Sequence, residues 1–292
     1  VKAPRVVAEI GCNHKGEMEI ARQMIRTAAD FAKVDYVKFQ KRCNRELLTP
    51  QEYAALHPNP AHSYGDTYGE HREFLEFDAA GHRQLRDWCE EAGVGYSCSV
   101  WDLTSAAQIA VLAPDYIKVP SACNLNFPLL ETLARDYRGD IHISLGMTTP
   151  EEQARIVAHL EQLGAADRVV LYACTSGYPV PFEQVCLLEI TRLREAYGSR
   201  VKAIGFSGHH LGIALDVAAV ALGATWIERH FTLDRTWKGT DHAASLEPDG
   251  LRRLTRDARA VATALTYKDK PILDIEQAQR DKLKRLPGVH LG

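Results

Sequence analysis

Residues 6–40 read VVAEIGCNHKGEMEIARQMIRTAADFAKVDYVKFQ, a short apolar run at 6–11, an amphipathic middle, and a second short run at 36–40. In the middle, Ile20, Met24, Ile25, Ala28 and Phe31 recur at the spacing of one helical face. Strand, amphipathic helix, strand is the repeating unit of a parallel sheet. No GxGxxG follows the first run, so a dinucleotide-binding sheet loses its main support.

The alternation continues outward from this unit. Strand candidates follow at GYSCSV (95–100), YIKVP (116–120), IHISLG (141–146), VVLYAC (169–174), KAIGFSG (202–208) and TWIERHF (225–231). They are short, and several are rich in Val, Ile or aromatics, as strands buried on both faces are. Thr149-Pro150-Glu151-Glu152 reads as a capping box with proline at the first helical position, and a last large helix spans Pro248 to Leu265. Eight strand–helix units in order predict a (β/α)₈ TIM barrel, an α/β single domain over 1–267, with 268–292 as a tail too short for a second domain. An open doubly wound sheet is the alternative. The connection after the second strand, 41–78, is long and carries Pro50, Pro58, Pro60, Tyr53, Tyr64 and Tyr68, which predicts an ordered flap over the barrel mouth.

Composition narrows the function. The chain has 292 residues, 46% apolar and 25% charged, as a soluble globular protein does. Its net charge of −3 gives no basic excess for nucleic acid or an anionic membrane, so substrate anions must be met by local cations. Seven cysteines, an odd number without a CxxC pair, argue against a disulfide framework and for a reducing cytoplasm. No apolar run reaches membrane-span length, and no secretory segment is visible.

In a barrel the active site lies at the C-terminal ends of the strands. Polar residues that would be costly in a plain core cluster there. They are Lys38 and Gln40 on the second strand, Lys118 and then Ser121 on the fourth, Ser144 on the fifth, Ser207, His209 and His210 on the seventh, and Glu228, Arg229 and His230 on the eighth. Two lysines within short apolar strands point to an anionic ligand, to pairing with buried carboxylates, or to a Schiff-base lysine. His209 and His230 end adjacent strands and can converge. As a pair they fit a divalent metal and satisfied core histidines about equally. Glu9, Cys12 and Asp241 are further ligand candidates, a set that would suit Mn, Mg, Fe or Zn. His14, His62, His82, His142, His159, His242 and His290 read as surface or packing residues. His71-Arg72 reads as a solvated charge pair, and Asp66, Glu70, His71 and Arg72 are expected to be too exposed for a role.

Eight blocks in barrel order resemble the sialic acid synthase (N-acetylneuraminate synthase) family. They are AEIGCNHKG (8–16), VKFQ (37–40), SYGDTYGEHREFLEF (63–77), KVPSACNLNFPLLE (118–131), SLGMTTPEE (144–152), YACTSGYPVP (172–181), IGFSGHHLGIALD (204–216) and ERHFTLDRTWKGTDHAASLEP (228–248). The resemblance implies a metal-dependent transferase that condenses phosphoenolpyruvate with an N-acylated aldohexose to a nine-carbon 2-keto-3-deoxy acid. It puts His209 and His230 on metal-ligand positions, with Mn or Mg as the ion. It puts Lys38, Lys118, Ser121, Ser144 and Ser207 on positions that hold phosphate and carboxylate. Ser99 stands for the usual threonine and Ser176 for a frequent asparagine. Glu9, Gln40, Tyr178 and Asp241 fall on positions facing the sugar or its aldehyde, and Glu9, Lys118 and Asp241 are the catalytic candidates.

Three departures stand out. Cys123 replaces an acidic residue common after the strand-four serine, Gly208 replaces an aspartate common before the first metal histidine, and the family's small C-terminal antifreeze-like domain has no counterpart in this sequence. In the family that domain reaches across a dimer, so a homodimer is the assembly the resemblance suggests. Two other activities compete: a 3-deoxy-octulosonate-type synthase, with Cys12 as an extra metal ligand, and a Schiff-base pyruvate aldolase or lyase. The expected partners are phosphoenolpyruvate and an aldose.

Overall fold

The computed structural model describes residues 3–284. Eight parallel strands close into a barrel in chain order: β1 (Arg5–Gly11), β2 (Tyr36–Lys41), β3 (Gly95–Val100), β4 (Tyr116–Val119), β5 (Asp140–Ser144), β6 (Val169–Cys174), β7 (Ala203–Gly208) and β8 (Trp226–His230). Every strand run read from the sequence is present within two residues at each end. Closure is made by β1 against β8, with Arg5 opposite Trp226 and Glu9 opposite His230. Helices fill the connections, including Pro150–Gln162 behind its Thr149/Glu152 capping box and Pro248–Ala264. Among the described residues, no helix is long and apolar enough to cross a membrane.

The two-residue period of each strand sorts side chains between ring and core. In β2, Val37 and Phe39 belong to the apolar cluster, while the alternate residues Lys38 and Gln40 face the cavity. In β4, Ile117 and Val119 pack into that cluster and Lys118 faces the cavity. Below the lysines lies an aromatic floor. His142 stacks on Tyr116 with ring centroids 3.8 Å apart and meets Trp226 edge-on at 4.5 Å. The Lys118 ammonium sits 3.8 Å from the Tyr172 ring centroid. This packing beneath the lysines gives His142 the packing role expected of it. His290 lies outside the described residues, as do residues 285–292 of the tail; the described part of that tail includes a helix at Asp274–Leu283.

The segment after β2 is ordered, and it is more than a loop. It holds helices at Asn44–Leu47, Pro50–Ala54 and Tyr68–Phe74. Thr49 with Glu52, and Thr67 with Glu70, form full capping boxes that start the second and third of these. Tyr64 donates to the Lys238 carbonyl oxygen at 2.5 Å, tying the flap to the chain beyond β8.

Candidate active site

One cavity of about 460 Å³ opens at the C-terminal end of the barrel. All the site residues expected from the sequence line it: Glu9, Lys38, Gln40, Ser99, Lys118, Ser121, Ser144, Ser176, Tyr178, Ser207, His209, His230 and Asp241. The strand ends bring them together because alternate residues of neighbouring strands fall in register. Glu9 pairs with Lys38 across β1 and β2, Ser99 with Lys118 across β3 and β4, and Ser207 with Glu228 across β7 and β8.

Lys38 and Lys118 are 2% and 1% exposed, so their charges need partners. Lys38 Nζ lies 2.5 Å from Glu9 and donates to Ser99 Oγ at 2.6 Å. Lys118 Nζ donates to both oxygens of Glu228 at 2.9 Å, and Ser207 Oγ donates to the same carboxylate at 3.1 Å. Pairing with carboxylates and facing an anion site are therefore not alternatives here: the pairs lie on the wall of the same cavity. Burial pushes the Glu9 carboxyl up to about 7, against the pull of Lys38. Burial also acts to raise Glu228, but Lys118 and Lys38 outweigh it and hold this carboxylate well below the usual range. The two acids thus differ in protonation near neutrality.

The imidazole rings of His209 and His230 have centroids 5.3 Å apart, with Tyr178 against both. His209 Nδ1–H donates to the Thr175 carbonyl oxygen at 3.0 Å; burial acts to lower this imidazole, but the Cys174 thiol beside it outweighs burial and raises it above the usual range. His230 Nδ1 is buried without a hydrogen-bond partner, and Asp241 lies 3.8 Å from it. Burial pulls His230 down to about 4, so the ring is neutral and able to ligate. Among the described residues no third His, Cys, Asp or Glu completes a metal cluster with this pair. Two imidazoles with an orphaned nitrogen fit an open, exchangeable ion position better than a closed structural site. Cys12 lies on the same wall; its thiol accepts from Arg42 Nη2 at 3.1 Å, and burial pushes it up to about 12.

The turn that carries His209 is braced from behind. Arg229, fully enclosed, pairs with Asp216 and donates to the carbonyls of His210 and Gly212 at 2.5 and 2.8 Å. Gly208 is explained by this packing, since a Cβ there would sit 2.8 Å from the Phe206 ring and 3.0 Å from His210. At the end of β5, a Cβ on Gly146 would meet the hydroxyls of Ser176 and Ser121 at 2.5 and 2.6 Å. Glycine there keeps a cradle of serine donors open.

Among the wall residues without a role in the sequence reading are Glu228, Arg42, His71, Trp101 and Cys174. Glu228 was in view at a strand end, and its two-residue spacing from His230 was the usable signal. Arg42, His71 and Trp101 come from connections, where no strand period marks the inward side. The expectation that His71 and Arg72 are a solvated pair is corrected. They are 6% and 7% exposed because the helix Tyr68–Phe74 turns them under the flap onto Tyr64, Tyr68 and Trp101.

A closed eight-stranded barrel with this paired-charge cavity at its strand ends has the form of a barrel enzyme, and the relatives it matches are named synthases. The chain belongs to the NeuB family, whose match covers residues 24–270. It is 39% identical over 283 residues to the N-acetylneuraminate-9-phosphate synthase of Homo sapiens, covering 95% of this chain and 76% of that protein. It is 32% identical over 266 residues to the N,N'-diacetyllegionaminic acid synthase of Campylobacter jejuni, covering 91% and 78%. The solved sialic acid synthetase of Leptospira borgpetersenii superposes with a TM-score of 0.81 at 26% identity, covering 98% of this chain and 94% of that one.

Proposed function

We propose that this barrel joins phosphoenolpyruvate to the open-chain aldehyde of an N-acylated aldose, giving a 2-keto-3-deoxy sugar acid and phosphate. The observation that carries the reading is the meeting of two ammonium groups, five serine hydroxyls and two imidazoles on one cavity wall. Phosphoenolpyruvate is a small, multiply charged anion. Lys38 and Lys118, now sharing carboxylates, can turn to its phosphate and carboxylate, and Ser99, Ser121, Ser144, Ser176 and Ser207 supply neutral donors around them. Charge-assisted hydrogen bonds of this kind are the strong ones.

His209 and His230 would hold a divalent ion, Mn or Mg, with the remaining positions left to water and substrate oxygens. When bound, such an ion supplies Lewis-acid polarisation of a carbonyl oxygen. The rest falls to the chain. The lysines and serines orient C3 of phosphoenolpyruvate toward the aldehyde carbon. As the C–C bond forms, the aldehyde oxygen takes a proton and water adds at C2. The C2–O bond to phosphate then breaks, leaving the ketone. Glu9, poised near neutrality beside Lys38, is the group suited to accept the water's proton. Gln40, Tyr178 and Asp241 orient the sugar hydroxyls, and the flap excludes bulk water.

The relatives' names favour nine-carbon acids: N-acetylneuraminate-9-phosphate in the human and mouse proteins, N,N'-diacetyllegionaminic acid in those of Campylobacter jejuni and Legionella pneumophila. They differ over a phosphate at the far end of the product. The octulosonate-type reading rests on Cys12, whose thiol here accepts from Arg42. The test is phosphate release with Mn²⁺, phosphoenolpyruvate and a panel of aldoses. The expected result is release that requires both substrates. Release without any aldose, or none with any aldose, would overturn the proposal.

A further inference from the structure

Resting on that reading, we propose that Asn124, seconded by Thr148, is the positioning residue of the phosphoenolpyruvate cradle. It clamps the end of β5 to the turn after β4, so that the hydroxyls of Ser121, Ser144 and Ser176 stand at fixed distances from one another. Ser121 and Ser144 belong to neighbouring strand ends, but the ladder between those strands stops short of both. Its last pair is Val119 opposite Ile143, and the next residue on β4 is Pro120, which has no N–H to give. The carbonyls of Ser144, Leu145 and Gly146 must therefore find their donors elsewhere.

Two side chains meet all three. Asn124 Nδ2 donates to the Ser144 carbonyl oxygen and to the Gly146 carbonyl oxygen, each at 3.0 Å. Thr148 Oγ1 donates to the Leu145 carbonyl oxygen at 2.5 Å. Both partners of Asn124 are acceptors, so only the NH₂ end of its amide can face them. The residue is 3% exposed, which keeps water from competing for those donors. On its own side, Asn124 closes the 3₁₀ turn Ser121–Cys123 that carries the first serine. That turn is anchored toward β3 by the Cys123 thiol, which donates to the Trp101 carbonyl oxygen at 3.2 Å. It then leads into the helix Phe127–Asp136, capped by Asn126. The clamp thus joins an anchored turn to a strand end that has outrun its ladder.

The segment it holds is both tight and strained. A Cβ on Gly146 would meet the Ser176 and Ser121 hydroxyls at 2.5 and 2.6 Å, so both hydroxyls rest directly on this backbone. The next residue, Met147, takes a φ of 58°, in the left-handed region that is costly to any residue with a side chain. Met147 is 67% exposed, so packing offsets little of that cost. Such a conformation persists only where its surroundings over-determine it. The bonds from Asn124 to Gly146 and from Thr148 to Leu145 do this on the two sides of the turn. Without them the segment relaxes, Gly146 shifts, and the serine hydroxyls shift with it. A binding constellation has to be held to within about 0.5 Å, so the loss falls on phosphoenolpyruvate. Gln40 and Asp241, assigned to the sugar, lie on β2 and beyond β8, away from the clamp.

The experiment uses the full chain and titrates phosphoenolpyruvate by calorimetry without aldose, beside the KM for each substrate and a thermal melt. Asn124→Leu keeps the size and removes both donors, and Asn124→Asp keeps the shape and turns an acceptor toward the two carbonyls. Each should weaken phosphoenolpyruvate binding roughly 10- to 100-fold, with KM for the aldose held within about twofold. Combined with Gly146→Ala, the loss should fall well short of the product of the two single losses, because both changes act on the same hydroxyls. Wild-type affinity in a folded variant, an equal rise in both KM values, or a full product in the double variant would overturn the proposal. Thr148→Val tests the clamp from its less buried side should the Asn124 variants not fold. It should weaken phosphoenolpyruvate at least about threefold, and unchanged affinity would overturn the proposal. Tight wild-type binding left intact by the variants sinks this inference alone; no binding of phosphoenolpyruvate by the wild type removes the synthase reading with it.

Discussion

Gly146→Ala is the sharpest perturbation of the phosphoenolpyruvate site. The glycine lies two residues past β5, its φ is not in the left-handed region, and alanine can adopt its backbone without strain. What alanine cannot keep is the space. Its Cβ would stand 2.5 Å from Ser176 Oγ and 2.6 Å from Ser121 Oγ, so each hydroxyl must retreat by about 0.8–0.9 Å to reach an ordinary 3.4 Å contact. A hydrogen bond to a bound oxygen at about 2.8 Å would lengthen to about 3.6 Å, beyond useful geometry. A hydrogen bond to a charged group contributes about 1.5–3 kcal/mol, so losing one should raise KM for phosphoenolpyruvate roughly 10- to 150-fold. The serines can rotate without burying an unpaired group, so Tm should fall little. The assay is steady-state phosphate release with varied phosphoenolpyruvate at saturating aldose, beside a thermal melt. A KM within twofold of wild type at unchanged Tm would refute the placing of the anion over this glycine.

Two further expectations follow from the site. Excess chelator should abolish turnover and Mn²⁺ restore it, and His209→Ala should lose Mn²⁺ binding measured directly by electron paramagnetic resonance; full activity in chelator would oppose the metal role. Glu9 has a folded-state pKa raised from 4.5 to about 7 by burial, so its contribution to stability is fully present below about 4.5 and is lost as pH rises through 7. Relative to wild type, Glu9→Gln should therefore gain a few kcal/mol between pH 4.5 and 8, read by urea unfolding; a pH-independent difference would count against the raised value.

The barrel was legible in the sequence because strands enclosed by helices leave a strong signature. Apolar pairs such as Val37 and Phe39 flank a lysine that has nowhere to point but inward. Strand position located Lys38, Lys118, Ser144 and Ser207 on the wall, and the register of the closed sheet sets Glu9 opposite Lys38 and Ser99 opposite Lys118; Ser99 itself was supplied by the family resemblance. The family resemblance supplied His209 and His230 as ligands, which the residues by themselves left evenly balanced. The flap was read as a loop with exposed charges. Its helices are short, and Gly69 allows the backbone to press onto Tyr53, with 2.3 Å between a notional Cβ and the ring. That packing turns His71 and Arg72 inward, and no periodicity over so few residues announces it. The carboxylate partners of the lysines were hidden for a different reason: pairing across the barrel joins residues 29 apart for Glu9 and Lys38 and 110 apart for Lys118 and Glu228.

The central claim is that two ammonium groups and two imidazoles on one rim unite a three-carbon anion with an aldehyde. Phosphoenolpyruvate labelled with ¹³C at all three carbons, turned over with the preferred aldose and followed by mass spectrometry, tests it most directly. The expected product contains the intact aldose and all three labelled carbons, one phosphate being released for each molecule formed, and borohydride traps no adduct on the enzyme. Labelled pyruvate beside unchanged aldose, or a trapped lysine adduct at Lys38 or Lys118, would contradict the account.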